Sequence, residues 1–154
     1  MSKLSPFQNV DSALGYAVEA LGESFQYLSD VKNGLNELQP VIARELEVVS
    51  EVKDRNASAR SAQERAKVRD RILPLVRNCC ASMGSGKIYD EIRKLEKLTN
   101  GLSNVITRPQ ETELLDAMLR LCQTIASDVE RVLREMHPLN LGLKAFKGKI
   151  EGKS

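Results

Sequence analysis

Apolar residues recur every three or four positions along most of the chain, and strand-like alternation is missing. That period predicts helices throughout. After a short lead (1–9) with a helix-start signal at Ser5-Pro6, the first amphipathic run covers 10–31. It starts at that signal or at Asp11 as an N-cap, and ends near Ser29. Val10, Leu14, Val18, Leu21, Phe25 and Leu28 share one sector of this helix. Asn33-Gly34 is a turn signal. A second helix follows, LNELQPVIARELEVVSEV, with Leu35, Leu38, Ile42, Leu46 and Val49 as its stripe. Pro40 either kinks it or is its first helical residue. A third helix is expected over about Ser58 to Ser82, Arg-rich first and apolar later, bent by Pro74. A fourth is KIYDEIRKLEKLTNGLSNVI, carrying Ile88, Ile92, Leu95, Leu102 and Val105, with a flaw at Asn100-Gly101 and a stop at Arg108-Pro109. The last is ETELLDAMLRLCQTIASDVERVLREM, with Leu114, Met118, Leu121, Ile125, Val129, Val132 and Met136 as its stripe. His137-Pro138 is expected to end it.

These elements give an all-α fold: an antiparallel four-helix bundle over 1–137, with a kinked or split extra helix. A basic linker or short basic amphipathic tail is expected over 138–154. With 154 residues the chain can bury a core without staples.

Charge changes the picture at one place. No Lys or Arg occurs between Lys3 and Lys32, whereas Asp11, Glu19, Glu23 and Asp30 do. At about 100° per residue these four fall in a sector of roughly 120°, mostly opposite the apolar stripe. The ordinary reading is the solvated side of a bundle helix. The sharper reading is that several copies line a cation path with acidic rings. The small residues Ala13, Gly15, Ala17, Ala20 and Gly22 suit close helix packing. Residues 1–31 hold one base and four acids; the remainder holds 22 bases and 17 acids. That excess is too weak, and too poor in interleaved aromatics, to predict nucleic-acid binding. The tail lysines Lys144, Lys147, Lys149 and Lys153 are the lipid candidates, as ligands for an anionic surface, with a plain linker as the alternative. The Arg-rich third helix, with Glu64 and Asp70, reads as a solvated face.

Enzyme motifs are absent. Gly84-Ser85-Gly86-Lys87 resembles the end of a phosphate loop, but position 81 is Ala and position 88 is Ile. His137 is the sole histidine and has no motif partner. Cys79, Cys80 and Cys122 have neither disulfide nor zinc spacing and read as buried thiols in a reducing compartment. No signal peptide, myristoylation pattern or uninterrupted transmembrane run is present. No catalytic, cofactor or metal residue is expected.

Several segments together resemble one family. ALGYAVEAL, LNELQPVIARELE, ILPLVRNCC and KIYDEIRKLEKLTNGLSNVI resemble, in order, parts of the powdery-mildew-resistance-type coiled-coil domains of plant helper immune receptors. The same plan occurs in the HeLo domains of fungal death proteins and the N-terminal bundle of mixed lineage kinase domain-like proteins. The chain departs from the family in having no Trp and in the short MGSG loop without a basic run. The resemblance implies a non-enzymatic, cytoplasmic domain that self-associates on activation. It then acts at the plasma membrane, passes cations including calcium, and causes cell death. It also implies a downstream regulatory domain absent from this chain, and makes Asp11, Glu19, Glu23 and Asp30 the ring residues. The rival expectations are a soluble helical adaptor and, last, an enzyme.

Overall fold

The computed structural model describes residues 6–79 and 86–150; within its helices the side chains of 6–12, 14, 16, 18, 20, 21, 140, 143 and 147–150 lie outside the description. The elements are helix α1 (Pro6–Ser50), α2 (Ala62–Cys79), α3 (Lys87–Asn100), a 3₁₀ turn (Gly101–Asn104) and α4 (Arg108–Ile150). The fold is all-α, with no strand among the described residues beyond one isolated bridge between Ser58 and Thr107.

The first two predicted helices are one. α1 runs through Asn33-Gly34 without a turn. Leu28, Val31, Leu35, Leu38, Ile42, Glu45 and Val49 alternate at three and four residues across the supposed break, and all are buried. A turn at position 34 would put one side of this seam out of register. Each buried Val, Leu or Ile is worth roughly 1.5–3 kcal/mol, against about 1 kcal/mol for glycine in a helix. The seam wins. Gly34 serves close approach instead: a Cβ there would lie 2.6 Å from Cys79 Sγ of α2.

Three prolines sit inside helices: Pro40, Pro74 and Pro138. Each removes one donor and leaves the carbonyl four residues earlier without its helical partner. All three prolines are exposed, as are Asn36, Asp70 and Arg134 at those earlier positions. Water can therefore take over the lost bonds. This is why α4 does not stop at His137-Pro138 but continues to Ile150, making 138–150 helix rather than linker.

Capping side chains set the other boundaries. Ser61 Oγ accepts from the Glu64 amide at 3.1 Å and donates to Glu64 Oε1 at 3.3 Å. This Ser-x-x-Glu box starts α2 at Ala62, later than Ser58. The residues before it are extended, with the Ala59 amide donating to the Ile106 carbonyl at 2.9 Å. Thr107 and Gln110 form a second box: Gln110 Oε1 accepts from the Thr107 amide at 3.3 Å, and Thr107 Oγ1 from the Gln110 amide at 3.3 Å. Arg108-Pro109 thus opens α4 rather than closing the helix before it. The flaw at Asn100-Gly101 is where α3 tightens into its 3₁₀ turn.

The chain forms two compact units. One, residues 30–129, contains α2, α3, the 3₁₀ turn and the inner parts of α1 and α4. Gly34 lies against Cys79 and Glu45 bonds Arg71, so α1 and α2 run oppositely there. Lys87 is 3.8 Å from Asp128, while Gly101 lies beside Leu114, so the α3 segment and α4 do the same. Val31, Leu38, Ile42, Ile72, Val76, Ile92, Leu95, Met118, Ile125 and Val129 are fully buried in this unit. The α4 seam differs by one position in places from the predicted stripe. Leu115 and Cys122 are buried, whereas Leu114 and Leu121 are only half-buried. The other unit holds residues 1–29 and 130–154, of which 6–29 of α1 and 130–150 of α4 are described. There His137 meets Phe25 edge-on, with ring centroids 6.2 Å apart.

Candidate functional site

The acidic face of α1 lies mostly in the unit of 1–29 and 130–154. Glu19 and Glu23, one turn apart, are exposed, and Asp30 is half-buried. The side chain of Asp11 lies outside the description. Of the apolar stripe, Leu28 is buried and Phe25 half-buried against His137. Val10, Leu14, Val18 and Leu21 are helical, but their side chains are not among those described. Lys144 is exposed on α4; Lys147 and Lys149 belong to the same helix, their side chains undescribed, and Lys153 lies outside the described residues. From Met136 to Ile150 α4 carries no acid, and from Pro6 to Val31 α1 carries no Lys or Arg. This unit thus pairs an acidic helical segment with a basic one.

In the other unit the Arg-rich segment is not the solvated face its composition predicts. Arg60 is a hub. Its Nε donates to Glu111 Oε2 at 2.8 Å, its amide to Glu111 Oε1 at 3.0 Å, and its Nη1 to Glu45 Oε2 at 2.7 Å. Arg71 Nη1 donates to the other oxygen of Glu45 at 3.2 Å. Arg65 donates to the carbonyls of Arg60 and Leu102, and Arg69 to Ser103 Oγ at 2.7 Å. The Glu111 side chain is fully buried, and those of Glu45 and Arg60 are each 10% exposed. Burial pulls the Arg60 pKa down, but hydrogen bonds and charge from Glu45 and Glu111 outweigh it, so the net shift is upward. The hub joins α1, the segment before α2, and α4. Its geometry supports docking of elements; a guanidinium held in its charged form is no general base.

Glu45 takes a seam position of α1, and Glu111 begins the corresponding row of α4. A carboxylate at an apolar register position is the signal in the sequence that points to a buried counter-ion. Nothing in local spacing identifies Arg60 as that partner, because Arg60 lies outside any helix.

A second polar contact joins α3 to α4. The carboxyls of Glu91 and Asp128 lie close enough to interact, with Lys87 Nζ 4.0 Å from Glu91 Oε1 and 3.8 Å from Asp128 Oδ2. The Glu91 pKa is raised, first by burial and then by Asp128, with Lys87 and Lys94 opposing. A carboxyl raised in the folded state contributes stability that is complete below the unfolded value near 4.5 and lost as pH rises through the folded value. Glu91→Gln, which supplies a permanent donor to Asp128, is expected to raise the melting temperature at neutral pH. On the acid side of 4.5 the difference should vanish. Thermal melts of both proteins across that range check this; an equal gain at every pH would contradict a shared proton.

Among the described residues no three His, Cys, Asp or Glu side chains converge as a metal site. Three open grooves are lined around Gly101 and Leu114, around Arg55 and Arg108, and around Lys87 and Lys94. None of the three contains a His or Cys. Cys79 and Cys122 are buried thiols outside any disulfide, and burial, with Cys79 nearby, pushes the Cys122 thiol up to about 12. Such a thiol is a packing residue, not a nucleophile. Compared with known proteins, the chain matches no family model, no curated protein and no solved structure.

Proposed function

We propose that this chain is a non-enzymatic, self-associating helical domain that executes cell death at the plasma membrane, as the N-terminal part of an immune receptor or pseudokinase. The observation that carries this reading is the charge segregation of α1. Its first 26 residues, Pro6 to Val31, contain acids but no Lys or Arg, and Glu19 and Glu23 are exposed one turn apart. No helix among the described residues is long and apolar enough to cross a membrane. A lone α1 facing lipid would expose acids that cost roughly 3 kcal/mol each at the bilayer centre. Copies assembled around a water-filled path would turn those acids inward, where rings of carboxylates favour cations such as calcium. In this reading the domain is cytoplasmic at rest and peripheral to the membrane when active, and Lys144, Lys147, Lys149 and Lys153 meet anionic headgroups.

Vesicles of plasma-membrane-like lipid test the proposal. The purified domain should bind them and release an entrapped cation dye. Glu19→Gln with Glu23→Gln should reduce cation flux with helicity unchanged. Flux that ignores both substitutions would return the acidic face to plain solvated surface. Absence of binding and leakage under oligomerising conditions would sink the membrane reading. It would leave the second one, a soluble interaction module, which the exposed side chains Leu139 and Phe146 of α4 favour.

A further inference from the structure

One row along α4 changes character. Met118, Ile125, Val132, Leu139 and Phe146 follow each other at intervals of seven, the same position of a heptad repeat. Met118 and Ile125 are fully buried and Val132 is half-buried. Leu139 is 58% exposed and Phe146 53%. The apolar pattern therefore continues after its cover has ended. The cause lies in how many helical segments each unit contributes. In the unit of residues 30–129, α2 and α3 pack with α1 and α4 over the seam. In the other unit the described residues comprise only the 6–29 and 130–150 segments. Two amphipathic helices bury a narrow seam against each other, and a bundle needs further helices to close it.

We infer that the missing pair is supplied by the same two helical segments of a second copy, giving a homodimeric four-helix assembly closed over Leu139 and Phe146. Charge selects this occupant. The α1 segment carries acids and no Lys or Arg, whereas the α4 segment from Met136 carries His137, Lys144, Lys147 and Lys149 and no acid. A two-fold axis sets the acidic helix of each copy against the basic helix of the other, and does so twice. A second copy of the two segments also brings the same heptad spacing, so its knobs match the holes offered. The dimer does not rest on the membrane reading, since it concerns the protein in solution.

Sedimentation equilibrium of the full chain at tens of micromolar reads the state directly. A dimer is expected. Leu139→Glu and Phe146→Glu, separately, should each weaken it about 30-fold or more while leaving helicity and the melting midpoint of the monomer intact. Reversing Glu19 and Glu23 to Lys should weaken dimerisation. Adding Lys144→Glu and Lys147→Glu to that variant should restore it, because acid and base then exchange helices. High salt should weaken the wild type. A monomer at these concentrations, or a dimer indifferent to Leu139→Glu and Phe146→Glu, overturns the inference. So does a monomer that binds anionic vesicles in a Phe146-dependent manner, which would make lipid the cover of this face. Leakage can fail while the dimer stands, and the dimer can fail while leakage stands.

Discussion

Arg60→Ala is expected to destabilise the fold by about 3–5 kcal/mol. The reason is not the loss of the ion pairs as such. Glu45 and Glu111 would remain buried with their main cation gone. Glu111 would retain Arg108, whose Nε is 3.9 Å away, and Glu45 would retain Arg71, which is more than half exposed. Neither replaces a guanidinium that bonds both carboxylates at under 3 Å. Arg60→Lys keeps the charge but offers a single ammonium where a planar fork serves two partners, so an intermediate loss follows. Replacing Glu45, Arg60 and Glu111 together by Leu, Met and Leu should recover most of the stability. A buried ion cluster roughly breaks even against well-packed apolar residues, and only its partial dismantling is costly. Urea unfolding followed by circular dichroism distinguishes these cases. If Arg60→Ala cost less than about 1 kcal/mol, the hub would have to behave as a solvated surface pair.

Gly34→Ala is expected to cost about 2 kcal/mol, although alanine is the better helix former by about 1 kcal/mol. The new methyl would start 2.6 Å from Cys79 Sγ and 3.4 Å from Cys79 Cα, so the sulfur must move and the two helices must part slightly. Cys79 has little freedom to yield, being 3% exposed, with its thiol donating to the Leu75 carbonyl at 3.2 Å. In a Cys79→Ala background the obstacle is gone, and the same Gly34→Ala change should become neutral or stabilising. That reversal of sign, read from a double-mutant cycle in urea, reports the contact itself rather than the propensity of either residue.

The two cases show where local signals lead and where they stop. Asn33-Gly34 carries turn residues, yet the apolar spacing on both sides is continuous through it, from Leu28 to Val49. Reading the period across the dipeptide, rather than the dipeptide itself, gives the single helix α1. His137-Pro138 misleads in the same way, with Val132, Met136, Leu139 and Phe146 keeping the seven-residue register past it. The Ser61 and Thr107 capping boxes are visible as Ser-x-x-Glu and Thr-x-x-Gln, and they place the starts of α2 and α4 more closely than apolar periodicity does. The acidic face of α1 is equally visible, since it needs only helical geometry and the absence of Lys and Arg. Arg60 is not. Three neighbouring arginines share its composition, and only the folded chain distinguishes the one that is buried between two carboxylates.

The sequence by itself determines that the chain is helical, where its apolar seams lie to within one position, and that α1 and α4 carry opposite charge in the unit of 1–29 and 130–154. Periodicity and side-chain chemistry are local quantities, and they suffice for that. Tertiary structure alone decides which signals prevail. It turns Gly34 from a turn residue into a point of close helix contact, and sets Arg60 between the buried carboxylates of Glu45 and Glu111. It also leaves Leu139 and Phe146 exposed on a row whose earlier members are core. In each case the deciding factor is whether another element covers the position, and cover is a property of non-local packing that no residue carries in its own neighbourhood.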